Sequence, residues 1–141
     1  MLLAPSTNHA YAGAPWAAHL LAVLGVLTIL PGIVHVALPD GGAGSIAGVQ
    51  LGACGPAIIA CFAWAGATQI AFGAMMLLVA LRWRPLVPVT FLLFLVERGL
   101  HAVNGWWLKP GSGHHPPEHY AVLAALPIAL AGLVASMRER A

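Results

Sequence analysis

The chain has 141 residues, 60% of them hydrophobic, and only 7% are Lys, Arg, Asp or Glu. A soluble domain carries about a quarter charged residues, so this composition excludes a water-facing surface and calls for one buried in lipid. A formal net charge of +2, with no basic run, no P-loop and no glycine fingerprint opening a helix, excludes a nucleic-acid partner and a nucleotide fold.

The first segment, M-L-L-A-P-S-T-N-H-A-Y-A-G-A-P-W, has no Lys or Arg. A secretory signal starts basic and ends a short apolar core at a small-residue cleavage site. The expectation is therefore an uncleaved first helix. Spanning a bilayer takes about 20 mostly apolar residues, and four stretches qualify, roughly 17–38, 57–81, 86–108 and 120–137. They are continuous rather than alternating, which selects helices over a barrel. The expected fold is all-α, a single integral membrane four-helix bundle over residues 1–141.

In chain order, span 1 carries Thr28 and His35, with Pro31 inside it to kink it. The 39–56 connection holds six glycines, too many for a stable free helix. Ile46, Val49 and Leu51 keep it half apolar, so it reads as a flexible loop, as a segment lying on the bilayer surface or as a lid over the bundle. Cys54 and Cys61 come next, as small apolar fillers or as a disulfide if the loop folds back. Span 2 carries Thr68 and Gln69, and its Ala63, Ala67 and Ala71 are spaced for close helix packing. The turn R-W-R-P ends it. Span 3 contains V-E-R-G-L-H-A-V-N-G-W-W, residues 96–107. The next loop, G-S-G-H-H-P-P-E-H-Y, leads into span 4, which starts near Pro116–Pro117 and has Pro127 inside it.

Basic residues set the orientation. Arg82, Arg84, Arg138 and Arg140 share one side with both termini, against Lys109 on the other. The expectation is cytoplasmic termini in a bacterial inner membrane, with the 39–56 and 109–119 loops outside. Trp16 and Trp83 mark the inner interface; Trp64, Trp106, Trp107 and Tyr120 mark the outer one.

An ionisable group deep in a span costs roughly 2.5–3.5 kcal/mol on insertion scales. Glu97 and Arg98 bear that cost in mid-span. Adjacent residues on a helix diverge by about 100°, so spacing joins Glu97 to His101 and Asn104 on one face and sets Arg98 apart. Thr28, Thr68 and Gln69 fall at the level of Glu97, and His35 near that of Asn104. Asp40, Lys109, His114, His115, Glu118 and His119 lie above them. The polar groups form a column from mid-membrane to the outer surface, which suits an outward-opening pocket better than a channel. Its expected ligand-binding residues are Glu97, Arg98, His101, Asn104, Gln69 and His35.

Metal and cofactor alternatives attach to the histidines. His114, His115, His119 and Glu118 are the set for Zn or Cu, although Pro116 and Pro117 keep His115 and His119 off one regular helical face. His35 and His101 are the axial pair for a haem.

Four short-looped spans, a Gly-rich connection after span 1 and the Glu97–Arg98 pair within span 3 make the chain similar to small bacterial DoxX-like membrane proteins. A fainter similarity is to sterol-isomerase-like membrane bundles. That likeness implies a pocket for a hydrophobic amine or sterol, to which Glu97, His101 and Asn104 would contribute. The leading functional expectation is a binder of membrane lipid or another small hydrophobic molecule with a polar head. In it Glu97 holds a cation or exchanges a proton, and Arg98 holds an anion or locks the bundle. An acid/base enzyme using Glu97 and His101 is the second expectation. A haem or metal redox module is the third, and an accessory subunit meeting a protein partner or a second copy is the fourth.

Overall fold

A computed structural model of the chain describes residues 3–110 and 114–138. Its frame is four helices, α1 (Pro15–Ala37), α2 (Gly55–Arg82), α3 (Val87–Val103) and α4 (Pro117–Met137), and no strand occurs among the described residues. A 3₁₀ turn (Arg84–Leu86) precedes α3 and a π turn (Asn104–Leu108) extends it. Counted with those turns, all four helices are long and apolar enough to cross a membrane. Each begins with proline at one of its first two positions, namely Pro15, Pro56, Pro88 and Pro117. Proline fits there because its fixed φ is helical and its missing N–H has no partner to lose.

The helices pack as two antiparallel pairs, α1 with α2 and α3 with α4; α1 also rests on α4, while α2 and α3 hardly touch. Glycines set the α1–α2 distance. A Cβ on Gly73 would lie 2.6 Å from the Gly25 carbonyl oxygen, and one on Gly66 would lie 2.7 Å from that of Gly32. The close stripe of α2 is thus Gly66 and Gly73, one heptad apart, and not the Ala63/Ala67/Ala71 row. Ala67 and Ala71 are exposed. Alanine spacing is common in an alanine-rich chain, but only a missing Cβ lets the backbones meet. In the other pair, Gly132 of α4 receives the ring of Phe91.

The dense core lies at the end that carries the termini. Leu21, Met76, Val87 and Phe91 are its largest fully buried side chains, joined by Ala17, Ala18, Phe94 and Ala129. Residues 4–14 form a strap across this end. Ser6 Oγ and the Thr7 amide donate to the Arg82 carbonyl at 3.0 and 2.9 Å, and Asn8 Nδ2 donates to the Leu81 carbonyl at 2.7 Å. Trp83 Nε1 donates to the Pro5 carbonyl, and the Ala14 amide to that of Ala135. The strap therefore satisfies carbonyls that the C-terminus of α2 leaves without helical partners.

At the opposite end the 38–51 segment contains no α-helix and folds over the bundle. Gly41 and Gly42 adopt left-handed backbone (φ 61° and 75°), open to glycine at no steric cost. This turns the next amides towards Asp40, whose carboxylate accepts from the Gly42, Gly44 and Ser45 amides at 2.9, 3.1 and 2.7 Å and from Ser45 Oγ. His114 Nε2 donates to the Ala47 carbonyl at 2.6 Å and ties the two loops of this end together. Cys54 and Cys61 are free and exposed.

The Ser45 amide, then that of Gly42, holds the Asp40 carboxyl below its ordinary value of 3.8. A depressed folded pKa means that the contribution is complete above the unfolded value, about pH 4, and is lost as pH falls through the folded one. Protection of the Gly42, Gly44 and Ser45 amides from exchange, relative to their intrinsic rates, should thus fall on acidification below about pH 4. Asp40→Asn should exchange faster at neutral pH and lose that dependence; an unchanged acid limb in the variant would assign the effect elsewhere.

Candidate functional site

Where the core ends, the helices part and leave a half-open cavity of about 470 Å³. Among its lining side chains are His35 of α1, Gln69 of α2, and Glu97, Arg98 and His101 of α3. Three groups that sequence spacing did not single out complete it: Cys61 and Phe62 from α2 and Glu118 from the first turn of α4. Proline at the start of α4 fixes Glu118 there; the sequence reading places it above the pocket in the polar column, or as a metal ligand, and not among the ligand-binding residues.

Glu97 is the centre of the polar cluster. His101 Nδ1 donates to Glu97 Oε1 at 2.8 Å, the i,i+4 contact expected from spacing. Arg98 Nε lies 2.8 Å from Glu97 Oε2, so Arg98 is not set apart. Spacing arguments follow Cβ directions. Two long side chains can fold back across that divergence, and charges attract strongly where water is scarce. The contact is ionic rather than directional, since neither Arg98 Nε nor Glu97 Oε2 has a hydrogen-bond partner among the described residues. The Arg98 guanidinium carbon also stands 5.2 Å above the Phe94 ring, one helical turn back. Arg98 is only 9% exposed.

Gln69 is 8% exposed. Its Nε2 reaches Glu118 Oε1 at a long 3.4 Å, and its Oε1 has no partner among the described residues. His35 Nδ1 donates to the Gly41 carbonyl at 2.7 Å, and its ring stands edge-on to Phe62. The hydroxyls of Thr28 and Thr68 turn back onto their own helices, at Leu24 and Ala65.

Asn104 lies outside this cavity but beside it. Its Nδ2 donates to the Leu100 carbonyl at 2.9 Å, and it lines a smaller pocket of about 190 Å³ with His101, Glu118, Lys109 and His119. From Asn104 onward the helix widens to a π turn, closed by the Lys109 amide on the Asn104 carbonyl, which shifts the register of the residues beyond it. Trp107 emerges 71% exposed, whereas Trp106 stacks on His115 at 4.1 Å between ring centroids.

His115 and His119 do meet, with Nδ1 atoms 3.1 Å apart, although α4 starts between them at Pro117. They meet as a hydrogen-bonded pair against Trp106 and Tyr120. His114 is committed to Ala47 and Glu118 to Gln69. Among the described residues no three His, Cys, Asp or Glu side chains converge as a metal site would require. His35 and His101, the haem pair in the sequence, line one cavity, and each engages Nδ1, which leaves Nε2 as the ring nitrogen without a partner among the described residues.

The arrangement can bind a polar head in several ways. It has a buried cation, a carboxylate shared between that cation and an imidazole, and a buried amide oxygen lacking a donor. No protein-family model, curated protein or solved structure matches the chain.

Proposed function

We propose that the chain is a multi-pass membrane protein that binds a small lipid-like amphiphile by its polar head in the Glu97–Arg98–His101 cavity. Val23, Leu30, Leu92, Val96 and Leu100 are about half exposed, and side chains of this kind ring all four helices. An apolar surface this continuous suits lipid, not water. Arg82, Arg84 and Arg138 belong to the terminal end against Lys109 at the loop end, while Arg140 lies outside the described residues. The positive-inside rule then makes the strap cytoplasmic and puts the cavity in the outer half of a bacterial inner membrane, a layout in keeping with the DoxX-like resemblance.

One observation carries this reading. A buried guanidinium and the unpartnered Oε1 of Gln69 face a single cavity. Buried polar groups in native proteins are almost always satisfied, and in a bilayer their cost is higher. A ligand that supplies the missing partners explains why they persist.

Native mass spectrometry of the protein, exchanged into detergent with 1-monoacylglycerol added, should detect a bound amphiphile. Gln69→Leu should weaken binding about tenfold, the value of one hydrogen bond in a buried site. A wild-type protein that carries no amphiphile under these conditions overturns the reading.

The Glu97–His101 contact favours a second reading, an acid/base enzyme. A carboxylate on Nδ1 fixes the imidazole tautomer and leaves Nε2 to take up a proton from a substrate. Glu97→Gln would then keep the amphiphile and lose its turnover, whereas in a pure binder no substrate is consumed by either protein.

A further inference from the structure

A second cavity, of about 550 Å³, lies between α1 and α4. Leu24, Leu27, Pro31 and Val34 form its α1 wall, and Ala121 and Ala125 its α4 wall. The α1 positions recur every three or four residues, so they stack on one helix face and rise about 15 Å from Leu24 to Val34. The loop residues Ile46 and Ala47 close the top. Leu27 is 57% exposed and Ala121 is exposed, so the flank between the helices is open. The result is a tall apolar slot.

The slot is not isolated from the polar cavity. Thr28, His35, Phe62, Gln69, Arg98 and Glu118 line both, so nothing but these side chains stands between them. That shared wall holds the two groups short of partners. Gln69 Oε1 needs a donor. Arg98 carries five N–H donors, and its contact with Glu97 runs through Nε.

We infer that the slot holds the alkyl chain of a single-chain amphiphile whose uncharged, hydroxyl-bearing head occupies the polar cavity, an inference that rests on the proposed amphiphile binding. A hydroxyl donates to Gln69 Oε1 and accepts from Arg98, and so supplies both missing partners. A charged head does worse. An anion meets Glu97 and Glu118, and a cation meets Arg98. The slot offers the chain apolar walls that adjoin the head site along that shared set of side chains.

Two photo-crosslinking 1-monoacylglycerols test this, one with a diazirine at the chain terminus and one with it on the glycerol. Each is incorporated with the full-length protein into phosphatidylcholine vesicles, and labelled residues are mapped by mass spectrometry. The chain-terminal probe should label positions 24–34 of α1 and 121–125 of α4, and the glycerol probe should label Gln69 and positions 97–101. Ala121→Trp, at an exposed position, should reduce chain-terminal labelling of the slot about tenfold, the affinity of roughly two buried methylenes. The wild-type map decides even if that variant misfolds. Glycerol labelling at 97–101 with chain labels scattered over outer faces such as Leu92 and Leu100 overturns the slot assignment and leaves the amphiphile reading standing. Labelling of neither cavity overturns both.

Discussion

Arg98→Met is expected to destabilise the bundle by about 3 kcal/mol, because it strands Glu97 without its cation among helices. Removing one member of a buried ion pair typically costs about 3–5 kcal/mol; the lower figure applies because the Glu97 side chain is 33% exposed. The double variant Glu97→Gln/Arg98→Met should recover most of the loss, since replacing both partners leaves no unpaired charge. Denaturant unfolding in detergent micelles measures both. A double variant as unstable as the single one would show that Arg98 stabilises through its packing on Phe94 instead of through charge. The recovered double variant should still fail to hold an amphiphile, which separates the stability role of the pair from its binding role.

Glycine substitutions should have opposite signs along the chain. Gly66→Ala and Gly73→Ala each drive a methyl into the α1 backbone, at 2.7 Å from the Gly32 oxygen and 2.6 Å from the Gly25 oxygen. Backbone has little room to yield, and each should cost about 1–3 kcal/mol. At Gly66 the added methyl also meets His35 Cβ at 2.6 Å, so that variant should disturb the cavity as well as the helix pair. Gly99, beside the polar pair, has open space around it. Gly99→Ala should stabilise α3 by up to about 1 kcal/mol through helix propensity alone. The same unfolding assay reads all three, and a loss at Gly99 would indicate that a ligand or partner uses that space.

Four apolar runs, the proline start of the last and the mid-span charges were legible because each is a local property. Run length, the geometry of proline and the cost of a buried charge need no knowledge of neighbours. The meeting of Gln69, Glu97, His101 and His35 was legible as depth, counted in rises per residue. What spacing could not show was reach and register. Arg98 bends back to Glu97 by virtue of side-chain length, which a helical wheel ignores. Asn104 bonds back onto its own helix at Leu100, and nothing in N-G-W-W marks the π turn that follows it over an α turn. Glu118 and the slot between α1 and α4 depend on which helices pair, and four similar apolar runs do not specify that.

The unequal ends of the bundle have a mechanical consequence. Leu21, Met76, Val87 and Phe91 clamp the helices at the strap end. At the other end, the cross-connections are ring contacts such as Trp106 on His115 and His35 on Phe62, and single hydrogen bonds such as His114 to Ala47 and Gln69 to Glu118. The molecule resembles tongs, with its pivot in the core and its jaws around the cavities. If a guest enters, the jaws would be the part to yield, because the large buried side chains lie at the pivot. Loading would then be separate from global unfolding, and the closed half would keep its cooperativity beside two adjoining hollows.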